Sequence, residues 1–422
     1  VTLNTTHLAN FSKNFSGVDL AGGCEDPGCL ITICGKAPVT LEHAALTGIS
    51  DELYATVGAV LCAAGEANLT LTGGQLVDNP NAAVLWASES ASVSIASCNI
   101  SGNGGGTALS ASGNATLLIV DSIISGNGGS GTSASCTAAP LVASAVGVWE
   151  HSVVHIEGST ISNNNEAPAI RVDDTAKLSM GSSTVSGNSV GVGGPTGARK
   201  IGAGLTMDNN ATVVLYGSTF SGHRGSSAIF VGGGNSSLTI RDSVISDNDA
   251  DQVLEVSGSE LLIVDAAHVN TTLEGNSCDR SGCALHASDN ASVQVSNSSF
   301  LSNRVSEYGG GGGGAILAAG ASSMQLTGCL FHNNSAQLGL GGGALATERD
   351  AHVVIEGSRF VENKAIECSG GAALVARGES VVTVTGGSLF SGNVAEGNGG
   401  AILVTVQAFV NISGGTQFTN NS

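Results

Sequence analysis

Charged and aromatic residues are scarce in this chain, 11% and 4% of 422 residues, and it holds only six prolines and two tryptophans. A core of large rings is excluded, so the 41% of residues that are hydrophobic must pack as small aliphatics in an elongated core. Basic residues are also few. Fourteen Lys and Arg stand against 34 Asp and Glu, a formal charge of −20 at pH 7, which argues against nucleic acid or an anionic membrane surface as a partner. Such a balance keeps the protein soluble and suits divalent cations or basic partners. Long apolar runs are missing: none approaches the roughly 20 residues of a spanning helix, and no membrane insertion is expected. Helical spacing is missing too. Glycine, by contrast, is plentiful at 62 residues.

What is present is a repeat. The stretch Ser292 to Asn303, Ser-Val-Gln-Val-Ser-Asn-Ser-Ser-Phe-Leu-Ser-Asn, returns in copies ending at Asn79, Asn103, Asn127, Asn164, Asn188, His223, Asn248, Asn334, Asn363, Asn393 and Asn421. Three residues before each end stands an apolar side chain, such as Leu76, Ile100, Phe220, Phe300, Phe331, Phe360, Phe390 or Phe418. Five before each end stands a tiny one, among them Gly74, Cys98, Ser122, Ser298 and Cys329. Ahead of these lie two apolar positions at a spacing of two, as in Val293 and Val295, and a period of two means strand. A second submotif precedes most copies, clearest at Gly313 to Leu317, Gly342 to Leu345 and Gly399 to Leu403.

Each coil therefore reads as an opening strand, a polar turn, a middle strand, a small-residue corner, a closing strand ending in Asn, and a variable loop. Several ends lie 24 or 25 residues apart, and the wider gaps carry long loops such as Gly128 to Ala143 and Ser189 to Gly204. A fixed minimum with loose upper values suits stacked coils with insertions on one face. Strands joined by coiling are parallel, and a closed coil is expected to hide one face of each strand. The fold class read here is all-β, a single parallel β-helix of about 14 rungs with three short strands per coil. Rungs about 4.8 Å apart would make a rod on the order of 65 Å long.

Where Gly-Gly-Ala-Ile and Phe-x-x-Asn recur together, from about Ala284 to Ser422, the chain resembles the polymorphic outer membrane protein repeats of bacterial surface proteins. More broadly it resembles the right-handed parallel β-helix superfamily of pectin-lyase-like proteins. The resemblance implies right-handedness and a secreted or surface-displayed protein, often adhesive or structural, whose repeat motifs carry no catalytic residues.

Asn-x-Ser/Thr sequons, candidate N-glycosylation sites, occur at Asn4, Asn10, Asn14, Asn68, Asn99, Asn114, Asn210, Asn235, Asn270, Asn290, Asn297, Asn333, Asn411 and Asn420. A chain rich in Asn, Ser and Thr makes sequons by chance, so position is more telling than number. Asn68, Asn114, Asn210, Asn235 and Asn290 share the polar turn before the middle strand, which would set a row of acceptors along one edge. An even count of ten cysteines points to the same extracellular compartment. Parallel positions suggest Cys98 with Cys136 and Cys329 with Cys368, while Cys278 and Cys283 flank a four-residue turn and pair locally. Cys24, Cys29, Cys34 and Cys62 then staple the first segment, since their spacing is wider than the common zinc hairpin.

Residues 1–36 break the pattern and read as an N-terminal cap, needed because an end rung exposes strand edges. The β-helix is assigned to residues 37–422, with Leu46 taking the Phe register of its first rung and Leu261 to Asn270 forming the most irregular coil. Its last rung, closing at Asn421, is expected to be covered by further chain or by another subunit.

Catalysis on polysaccharides would need carboxylates, or a carboxylate with a cation, on neighbouring rungs. Asp173, Asp174, Arg199, Lys200, His223 and Arg224 resemble polygalacturonase elements in the wrong order, and His223 stands in the Asn register. The Asp247-x-Asp249-x-Asp251 run opens like a calcium loop but has Gly258 where the bidentate Glu belongs. No cofactor is assigned. The function expected is that of an extracellular structural glycoprotein module of a surface layer or filament, not an enzyme, with other subunits or itself as partners. A surface adhesin and a polysaccharide lyase or hydrolase are the alternatives.

Overall fold

The computed structural model describes residues 2–3, 18–19, 29–47, 59–79, 83–104, 106–128, 143–190, 201–258, 261–265, 270–279, 282–306, 312–339, 341–368 and 370–422. They form two compact units, Val1–Gly191 with Ala203–Thr206 and Asn210–Val213, and Val192–Gly202 with Met207–Asn209 and Val214–Ser422. Among the described residues every element is a strand, and every pairing between named strands is parallel.

In the first unit, middle strands such as Asn68–Thr72, Ser92–Ala96 and Thr116–Val120 stack in register, aligning Leu69, Val93 and Leu117. Closing strands align Leu46, Leu76, Ile100, Ile124, Ile161 and Val185, all buried. The second unit repeats the scheme with larger side chains. Its closing strands align Phe220, Ile245, Leu273, Phe300, Phe331, Phe360, Phe390 and Phe418. From Phe300 to Phe418 neighbouring rings stack with centroids 4.5–5.0 Å apart and planes within 13°, because the rung spacing of a parallel sheet is also a good stacking distance. The middle strands alternate buried and open positions, as a period of two dictates.

Opening strands do not alternate. Leu109–Ala111, Val146–Val148, Ile170–Val172, Ile316–Ala318, Leu345–Thr347 and Leu374–Ala376 are buried at every position, so the expectation that a coil hides one face of each strand fails here. In the second unit the glycine-rich corners explain it. Gly314 N donates to Gly342 O, and a Cβ on Gly342 would collide with the Leu345 carbonyl, so backbone lies directly over the outer face. Only residues without a side chain allow that approach.

Coiling begins within residues 1–36. Cys29–Ile33 pairs with Ala59–Ala63, and Thr2–Leu3 pairs with Thr40 and Leu41. Cys29 and Cys62 form a disulfide across adjacent coils, Cys278 and Cys283 form the expected local one, and Cys34 is also disulfide-bonded. The pairings Cys98 with Cys136 and Cys329 with Cys368 are overturned, since Cys98 and Cys329 are free thiols buried in the core. The physical reason is their register: Cys98 Sγ turns inward to the Ala96 carbonyl, and Cys329 Sγ to the Val295 carbonyl. Cys368 ends a strand paired with Ser335–Gly339, in a different sheet from the corner that Cys329 occupies. Cys24 and Cys136 lie outside the described residues.

Candidate functional site

The corner after each closing strand is built by one side chain. In the first unit Asn79 Nδ2 donates to Asn103 Oδ1 (2.9 Å), Asn103 Nδ2 to Asn127 Oδ1 (2.8 Å), and Asn164 Nδ2 to Asn188 Oδ1 (2.9 Å). In the second, Asn248, Asn276, Asn303, Asn334, Asn363, Asn393 and Asn421 continue the pattern at 2.8–3.0 Å. Each amide also donates to a carbonyl one coil back, as Asn334 Nδ2 does to Phe300 O (2.9 Å). The backbone just before the ladder residue is left-handed at Asp78, Asn163, Asp247, Ser302, Asn333, Glu362 and Asn420, a conformation that Asn, Asp and Gly adopt at least cost. His223 stands in the ladder register as expected, fully buried, its N–H on Asn248 Oδ1 (3.0 Å).

The residues weighed for polysaccharide chemistry are placed differently from one another. Asp173, in the first unit, is buried against Arg171 (2.8 Å), whose guanidinium lies 5.5 Å from the centroid of the Trp149 ring. Asp174 is exposed in a left-handed turn, and His223 and Arg224 belong to the second unit. Arg199 and Lys200 lie outside the described residues. At the acidic triplet, Asp249–Ser257 is a nine-residue strand, so Asp249 and Asp251 stand on extended backbone where a calcium loop needs a tight turn. A shallow cavity of about 220 Å³ beside them is lined by Arg224, Asp249, Asp251 and Asp279. Among the described residues no group of three or more His, Cys, Asp or Glu could hold a metal.

Sequence reasoning missed a buried polar cluster. Glu255, on the outer face of an opening strand, accepts from Ser227 Oγ (2.9 Å). With its amide nitrogen turned toward the carboxylate, Gln252 donates to both Glu255 oxygens (3.0 and 3.2 Å) and accepts from His286 Nδ1 (2.6 Å). The available signal was one carboxylate inside the apolar run Val253-Leu254-Glu255-Val256. With Ser227 fully buried, the cluster can clamp three coils together but cannot present a nucleophile.

Of the sequon asparagines, Asn68, Asn99, Asn114, Asn210, Asn235, Asn270, Asn290, Asn297, Asn411 and Asn420 are exposed. Asn333 is half-buried and donates to Ser302 Oγ (3.2 Å), while Asn4, Asn10 and Asn14 lie outside the described residues. None of the eleven described sequons falls on an opening strand. The model of the right-handed β-helix region matches residues 51–224, 141–300 and 252–422. No curated protein matches the chain.

Proposed function

Since the chain belongs to the right-handed β-helix family, we propose that it is an extracellular, N-glycosylated structural module of a surface layer or filament. The observation that carries this reading is the exposure of ten sequon asparagines while the ladder asparagines, of the same residue type, are buried. The disulfides at Cys29–Cys62 and Cys278–Cys283 support the same oxidising compartment. Its role is mechanical: stacked aromatic and amide columns resist unfolding, and glycans on the exposed turns hinder proteases. The finer kinship proposed, with pectin-lyase-like proteins and polymorphic outer membrane protein repeats, rests on Gly-Gly-Ala-Ile at Gly313 to Ile316 and Phe-x-x-Asn at Phe360 to Asn363. The reading assigns no catalysis, because Asp173 is held in a buried ion pair. Partners are other subunits of the assembly or further copies of the chain.

Glycopeptide mass spectrometry on protein from its native source tests the proposal. Glycans at Asn68, Asn114, Asn210 and Asn290 are expected. Bare asparagines at all four, or a reducing-sugar assay positive on acidic polysaccharide and abolished by Asp173→Asn, would remove it.

A further inference from the structure

The tetrapeptide Gly-Asn-Gly-Gly occurs three times, at Gly102 to Gly105, Gly126 to Gly129 and Gly397 to Gly400. Asn-Gly is the step most prone to ring closure, because glycine leaves the following nitrogen unhindered. That nitrogen attacks the Asn Cγ, the Cγ–Nδ2 bond breaks, and ammonia leaves with the proton from the glycine nitrogen. Water then opens the succinimide at either carbonyl, giving aspartate or isoaspartate. With identical neighbours on both sides, the three steps share one intrinsic reactivity, and the fold alone separates them.

Two are locked. Asn103 and Asn127 are buried ladder members: Asn103 Nδ2 donates to Leu76 O (2.9 Å) and Asn127 Oδ1 (2.8 Å), and Asn127 Nδ2 to Ile100 O (2.9 Å). Their attacking nitrogens are engaged as well, Gly104 N on Asn79 O (3.1 Å) and Gly128 N on Asn103 O (3.0 Å). The third is open. Asn398 is exposed on a bend, and neither its side chain nor Gly399 N bonds to any described residue.

We infer that Asn398 is a site of spontaneous deamidation and isoaspartate formation, and that the ladder protects the two other copies of the same tetrapeptide. The product has a structural consequence. An isoaspartyl link adds a methylene to the main chain just before Gly399, whose carbonyl accepts from Ala372 N (3.1 Å) and whose Cα has no room toward Ile402 O, 2.6 Å from where a Cβ would sit. Ageing at Asn398 therefore both charges and loosens this corner.

The test is peptide mapping by mass spectrometry, with enzymatic isoaspartate methylation, on the full chain held at mildly alkaline pH. Cyclisation at Asn103 or Asn127 must first break about three hydrogen bonds, each worth a factor of roughly three to ten, so Asn398 should convert about a hundredfold faster. In urea the three sites should converge, and Asn398→Gln should abolish the methylation signal of the folded chain. Equal rates at the three sites in the folded chain, or a difference that persists in urea, would overturn the inference.

Discussion

Replacing Asn334 is the sharpest probe of the amide column. Its Oδ1 accepts from Asn303 N (3.0 Å) and Asn303 Nδ2 (2.9 Å), and its Nδ2 donates to Phe300 O (2.9 Å) and Asn363 Oδ1 (3.0 Å). Asn334→Ala removes all four. Three of the partners survive: Asn303 Nδ2 keeps Leu273 O (2.9 Å), Asn363 Oδ1 keeps Asn334 N (3.0 Å), and Phe300 O keeps its place in the parallel ladder with Phe331. Only Asn303 N is left buried and unpaired, at about 1–3 kcal/mol, and the three other lost bonds add roughly 0.5–1.5 kcal/mol each. A loss of about 4 kcal/mol is expected, a large share of the ~5–15 kcal/mol that holds a typical domain. Asn334→Asp keeps the shape and the acceptor but loses both donations and buries a carboxylate against two oxygens. Burial and those oxygens raise its folded-state pKa, so the variant should recover stability as pH falls below that value. Urea unfolding followed by circular dichroism, read as a midpoint shift at constant slope, measures both variants. If Asn334→Ala stays within about 1 kcal/mol of the parent, the ladder is not what holds the corners, and the reasoning fails.

The aromatic column makes a paired prediction, since Phe360 is buried between two rings and Phe418 is 44% exposed with one ring neighbour. Phe360→Ala should cost ~3–5 kcal/mol and Phe418→Ala only about 1 in the same urea experiment; equal costs would contradict the stacking account. Burial pushes the Cys329 thiol from 9.0 up to about 11. Below pH 9 that thiol is protonated whether folded or unfolded, so its contribution holds there and is lost between pH 9 and 11, roughly 3 kcal/mol in all. The difference between the parent and Cys329→Ser across that window isolates the effect, and a pH-independent difference would refute it. Serine is the natural occupant of this register, as at Ser298 and Ser358.

The fold was legible because its strongest forces act at fixed register. Stacking in register puts Phe on Phe and Asn on Asn, so a column in space is a period in sequence. Even so, Leu273 and Asn276 obey the same spacing, with Thr271 at the small-residue position, and close the coil that the sequence reading assigns to Leu261 to Asn270. The covered outer face was not legible, since glycine carries no hydrophobic signal and its role appears only once two backbones touch. Disulfides failed for a related reason. Local spacing identified Cys278–Cys283, but Cys29–Cys62, 33 residues apart, depends on which coil lies over which. Equal register at Cys98 and Cys329 indicated similar surroundings, not a bridge.

The sameness of the contacts above and below each coil has an evolutionary corollary. Asn334 and Asn363 are register partners 29 residues apart, so an in-frame duplication or loss of the segment between them would join surfaces that already fit. Such a gene can lengthen or shorten by whole turns in one step, without first searching for a new interface.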